Sequence, residues 1–271
     1  MTDKNAANPI GVFDSGVGGL SVLREIHKLL PHENLLYVAD SAHAPYGDKS
    51  KEFVLERSTA IVDFFVSHQV KAVVVACNTA TGAAVKELRP TINQTIIAME
   101  PAVKPAAERT QTGIIGVLAT SRTLSSNNFQ ILFARFADQV KIITQACPGL
   151  VEQVERGDLS SDKTRALIVQ YVQPLVAQNV DIIVLGCTHY PFLVSLIQEI
   201  VGSSIAVIDS GAAIARELKS RLEKAEILAG PHHPGPVRFW SSDGNGQAKQ
   251  VISQLWGADV EVDIMPERVL A

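Results

Sequence analysis

An internal repeat constrains this chain more than any other feature of its sequence. Residues 70–80, VKAVVVACNTA, and 180–190, VDIIVLGCTHY, superimpose without a gap: an apolar run, one small residue, a cysteine and a polar pair. IGVFDS at 10–15 matches IGVLATS at 115–121, and TIIAMEP at 95–101 matches SIAVIDS at 204–210. The three offsets, 110, 105 and 109 residues, agree closely enough to describe one unit present twice. A ligand held between two such units would meet matched residues from two sides.

Within each unit, short β-branched runs alternate with longer amphipathic stretches, the pattern of βαβ units around a parallel sheet. Strands are expected at 10–13, 34–39, 71–76, 95–99, 113–118, 140–145, 180–185, 204–208 and 237–240, and helices at 18–30, 51–68, 161–178 and 211–223. The expected fold class is therefore α/β, with two pseudo-symmetric lobes, each a parallel-sheet domain, facing each other across one cleft. Glu100 and Asp209 mark the crossings, which makes the first lobe discontinuous, 1–100 plus 210–271, and the second 101–209. The 271 residues, 46% of them hydrophobic, suffice for two such cores. The Pro/Gly-rich loop 229–236 reads as a connection, with His232 and His233 solvated, and SDGNGQ at 242–247 reads as a turn.

The net charge of −4 and scattered lysines and arginines argue against a nucleic-acid partner. No run approaches the roughly 18 apolar residues of a membrane span, and the N-terminus lacks a signal-peptide core, so the expectation is a cytoplasmic protein without membrane contact. In that compartment Cys77, Cys147 and Cys187 are thiols.

Ligands of open parallel sheets bind beyond the carboxyl ends of the strands, where Cys77 and Cys187 both lie. Two thiols facing one carbon suit inversion of a stereocentre, one removing a proton while the other returns one to the opposite face. A thiol must be made more acidic to act as a base, and a helix N-terminus or polar neighbours can do this. Asp14 and His189 are the groups placed to tune the pair. Cys147 has no repeat partner and reads as a core residue.

VFDSGVGGLSVL at 12–23, PYG at 45–47, ACNTA at 76–80 and GCTHYP at 186–191, in this order, resemble the glutamate racemases of the cofactor-independent aspartate/glutamate racemase superfamily over nearly the whole chain. The resemblance implies a two-lobed enzyme that interconverts L- and D-glutamate for peptidoglycan synthesis, with no cofactor and no metal, as a homodimer. It implies that Cys77 takes the α-proton of D-glutamate and Cys187 that of L-glutamate, with Asp14, His189 and Glu155 assisting. Asp14, Ser15, Tyr46, Gly47, Asn78, Thr79, Thr120, Thr188 and His189 match its substrate-binding positions. In CPGLVEQVERG, at 147–157, Glu152 competes with Glu155 for the assisting role.

An aspartate or related racemase of the same superfamily is the near alternative. Gly16, Gly18 and Ser21, with Asp40 ending the second strand, mimic a dinucleotide-binding fingerprint and suggest an oxidoreductase, but leave both cysteine loops unexplained. A zinc site of Cys77, Cys187, His189 and Asp14 lacks a close cysteine pair and would silence the thiols. A non-catalytic solute-binding protein needs no twin thiols.

Overall fold

The computed structural model describes residues 6–231 and 234–266. His232 and His233 lie outside the described residues. The strands are β1 (Ile10–Asp14), β2 (Leu35–Ala39), β3 (Ala72–Val75), β4 (Thr95–Ala98), β5 (Ile114–Ala119), β6 (Lys141–Ala146), β7 (Ile182–Leu185), β8 (Ala206–Ile208), β9 (Val237–Ser241) and β10 (Val262–Ile264). The helices are α1 (Leu20–Leu29), α2 (Lys51–Ser67), α3 (Asn78–Leu88), α4 (Val103–Arg109), α5 (Ser121–Ser125), α6 (Asn127–Phe136), α7 (Leu150–Glu155), α8 (Asp162–Val176), α9 (Val194–Val201), α10 (Gly211–Lys224) and α11 (Gln247–Trp256).

The strands form two all-parallel sheets, ordered β10-β9-β2-β1-β3-β4 and β6-β5-β7-β8. Removing β9 and β10 leaves the order β4-β3-β1-β2 against β8-β7-β5-β6, so the sequence repeat is a repeat of topology, with β3 equivalent to β7. The central strands β1, β3 and β7 are buried on both faces, which is why they read as unbroken apolar runs. Two parallel-sheet α/β domains result.

After β8 the chain enters α10, which packs against α1, and then adds β9 to the outer side of β2. The two connections between the sheets meet: the Ser210 hydroxyl donates to the Glu100 carbonyl at 2.6 Å. The sequence 242–247 is a turn that starts α11, with Asp243 accepting from the amides of Asn245 and Ala248 at 3.0 Å each. Among the described residues, no helix is long and apolar enough to cross a membrane.

Candidate active site

Cys77 and Cys187 each follow a buried central strand. Cys77 caps α3, its sulfur accepting from the Ala80 amide at 3.4 Å, and Cys187 follows β7 after one glycine. Both thiols line one small cavity, Cys77 at 4% and Cys187 at 7% exposure. Ser15, Tyr46, Gly47, Asn78, Thr79, Thr120, Thr188 and His189 line it too.

The surroundings of the thiols differ. Cys77 Sγ lies 3.8 Å from the Ser15 hydroxyl, and Asp14 stands close behind. Burial pushes the Cys77 thiol well above its ordinary range; the Asp14 charge adds to this, and the Ala80 amide only partly offsets it. At Cys77, desolvation and a neighbouring carboxylate outweigh the one backbone N–H that the start of α3 offers. Asp14 is fully buried at the end of β1. Its Oδ1 accepts from the Ser15 amide at 2.7 Å, and its Oδ2 accepts from the Gly19 amide at 2.6 Å and the Thr188 hydroxyl at 3.2 Å. Asp14 thus helps to cap the start of α1 and reaches the opposite cysteine loop. Burial pushes its pKa above the ordinary carboxylate value, and the nearby His189 opposes that.

Cys187 Sγ lies 3.7 Å from His189 Nδ1, while His189 Nε2 meets Glu155 Oε1 at 2.6 Å. Glu155 is fixed in turn by the Val17 amide, donating to Oε1 at 2.7 Å. Burial disfavours a charged His189, yet its hydrogen bonds to Cys187 and Glu155 carry its pKa well above that of a free imidazole. Nε2 faces Glu155 and Nδ1 faces Cys187, so the ring links the carboxylate to the thiol. Gly16 and Gly18 make room for this pair: a Cβ on Gly16 would overlap the Glu155 carboxylate, and one on Gly18 the His189 ring.

Asn78 is 7% exposed and borders the cavity, and neither its amide oxygen nor its nitrogen has a hydrogen-bond partner among the described residues. A buried amide in that state is primed for a polar ligand. The hydroxyls of Thr79 and Thr120 lie 3.1 Å apart, joining loops that follow different sheets.

The family model for Asp/Glu/Hydantoin racemases matches residues 10–218. The chain belongs to this family. This racemase is 53% identical over 263 residues to the glutamate racemase of Stutzerimonas stutzeri, an alignment covering 97% of this chain and 99% of that one. Among solved structures, a glutamate racemase isoform of Bacillus anthracis superposes with a TM-score of 0.86 at 32% identity, covering 96% and 98% of the two chains. The Escherichia coli glutamate racemase, solved with L-glutamate and the activator UDP-MurNAc-ala, superposes at 0.83 with 33% identity, covering 95% and 97%. The racemase is accordingly an isomerase.

All the site residues singled out in the sequence are brought together at or immediately behind the cavity, and Glu155, not Glu152, is the carboxylate on His189. Cys147 stands outside the lining, buried, with its thiol donating to the Gln145 carbonyl at 3.3 Å. Sequence reasoning missed Thr123, whose hydroxyl lies 3.2 Å from that of Thr79 and 3.0 Å from that of Thr120. The available signal was the Thr120-x-x-Thr123 spacing of an N-cap, since Thr120 accepts from the Thr123 amide at 3.2 Å. Asp40, the acid of the dinucleotide-binding alternative, is fully buried and engaged by Arg57 and Tyr46, so it is not offered to a ribose.

Proposed function

We propose that this racemase interconverts L- and D-glutamate by proton transfer between Cα and two opposed cysteines. The observation that carries the reading is the convergence of Cys77 and Cys187, equivalent in the repeat, on one cavity. One thiolate takes the α-proton, the electron pair stays on the substrate, and the other thiol delivers its proton to the opposite face. Cys77 acts on D-glutamate with Asp14 behind it. Cys187 acts on L-glutamate, with the His189 imidazolium donating to its thiolate and Glu155 holding the imidazole. Asn78, Ser15 and the hydroxyls of Thr79, Thr120 and Thr188 supply donors for the two carboxylates, and Tyr46 and Gly47 close the wall. The substrate ammonium, arriving beside buried Cys77, favours the thiolate that burial and the Asp14 charge disfavour.

Glutamate is assigned over aspartate on the names of the relatives and on the whole-chain resemblance. The family resemblance alone supports the further reading of a cytoplasmic homodimer that supplies D-glutamate for peptidoglycan. The domain limits that fit this reading are 1–100 plus 210–271 for the first lobe and 101–209 for the second.

The test separates the two bases. In deuterated water the purified chain is expected to exchange the α-hydrogen of both glutamate enantiomers and to use aspartate poorly. Cys77→Ser and Cys187→Ser should each lose racemisation by about three orders of magnitude, a hydroxyl being far less acidic than a thiol. A glutamate analogue with a β-leaving group needs only one deprotonation. Cys187→Ser should therefore still eliminate from the D-analogue, and Cys77→Ser from the L-analogue. Exchange with neither enantiomer, or both variants processing the same enantiomer, would falsify the reading.

A further inference from the structure

Asp40 follows β2, is fully buried and does not line the cavity. Its carboxylate nonetheless gathers four polar contacts. The Tyr46 hydroxyl donates at 2.5 Å, Arg57 from α2 donates through Nε at 3.0 Å and Nη2 at 2.9 Å, and His43 Nδ1 lies at 2.9 Å. Burial works against the charge, but the hydrogen bonds from His43, Arg57 and Tyr46 hold the carboxyl well below the usual carboxylate range. The planar guanidinium fork fixes direction as well as distance. One ion pair thus joins the end of β2, the middle of α2 and the turn at 46–48.

Tyr46 carries that constraint to the site. It is 1% exposed, lines the cavity and shares an apolar cluster with Cys77. Its hydroxyl is committed to Asp40, so the cavity meets its ring and backbone. At Gly47 a Cβ would stand 3.1 Å from Thr120 Cβ, so the same turn abuts the loop after β5 in the other sheet. A three-residue turn has little internal bonding with which to hold such a position, and a satisfied buried network supplies it.

Resting on the racemase reading, we propose that Asp40 and Arg57 are positioning residues that hold Tyr46 and Gly47 as a fixed wall of the cavity. They set substrate affinity and the enclosure of the thiols, and they take no part in proton transfer.

Two conservative variants test this, each checked for native circular dichroism. Tyr46→Phe deletes one hydroxyl and keeps the ring, and Arg57→Lys keeps the charge and loses the fork. Each should raise KM for both glutamate enantiomers about tenfold with kcat within about threefold of wild type. The double variant should fall short of the product of the two effects, because both break one link. A second readout is independent of turnover. Iodoacetamide should alkylate Cys77 and Cys187 about tenfold faster in both variants, followed by peptide mass spectrometry, while Cys147 keeps its wild-type rate. Unchanged KM and unchanged alkylation in both variants, or a fall in kcat at constant KM, overturns the proposal. If the wild-type chain exchanges neither enantiomer, the racemase reading falls, and the alkylation rates alone decide whether Asp40 and Arg57 hold the wall.

Discussion

At Gly16 and Gly18 the missing side chains admit the acid/base pair beside Cys187. Glu155 accepts from the Val17 amide between them, so the loop that makes room for the carboxylate also orients it. Gly18→Ala should displace the rigid imidazole of His189, which cannot swing away as a flexible chain would. The expected result is a loss of about 10²-fold or more in racemisation, in line with the contribution of one positioned acid/base group, with the melting temperature nearly retained. The loss should be larger for deprotonation of L-glutamate than of D-glutamate in solvent-exchange kinetics, because His189 contacts Cys187. Equal loss in both directions would show that the glycine serves the loop alone.

Among the elements, α10 joins the two halves. It leaves β8 of one sheet, packs on α1 beneath the other, and presents Ile214, Ala215, Leu218 and Leu222 inward at helical spacing. Leu218 is fully buried, so Leu218→Ala removes packed volume with no path for water to replace it. The expected cost is about 2–5 kcal/mol, read from urea denaturation, with kcat preserved below the transition. A cost under about 1 kcal/mol would mean that the α1–α10 contact collapses around the gap. The same scale explains one omission of the sequence reading. β10 is three residues long and partly to fully exposed, and it lacks the apolar run by which β1, β3 and β7 announce themselves.

For the molecule as a whole, both thiols are buried and the cavity they line lies between structures built on different sheets, so substrate entry is expected to part those structures. Gly82 on α3 and Ser126 ahead of α6 face each other across that division: a Cβ at Gly82 would lie 3.1 Å from Ser126 Cβ. A small adjustment brings such a pair into the ~3.5–4.5 Å range of a disulfide. The double variant Gly82→Cys, Ser126→Cys should be active when reduced, lose turnover by more than about tenfold on oxidation, and recover with dithiothreitol. Full activity in the oxidised form, with the cross-link verified by mass spectrometry, would show that substrate enters without separation of the two halves.

The duplicated unit, the parallel strands and the placement of Cys77 and Cys187 at strand ends were legible in the sequence because they depend on local patterns: apolar runs, a period and a matched pair of loops. The resemblance of the GVGG, PYG, CNT and CTH segments likewise assembled the candidate lining residue by residue. Other features depended on distant segments meeting and left no local trace. Glu155 could be preferred to Glu152 only once α7 was seen to aim it at His189 and the Val17 amide, 138 residues away. Thr123 joined Thr79, and Asp40 found Arg57 and Tyr46, through contacts made by packing alone. The state of the Cys77 thiol was decided the same way: sequence supplied the helix start that favours a thiolate, and tertiary structure supplied the burial and the Asp14 charge that outweigh it. Charge stability depends on every group and on all the solvent within several ångströms, and that neighbourhood exists only after the two halves have closed.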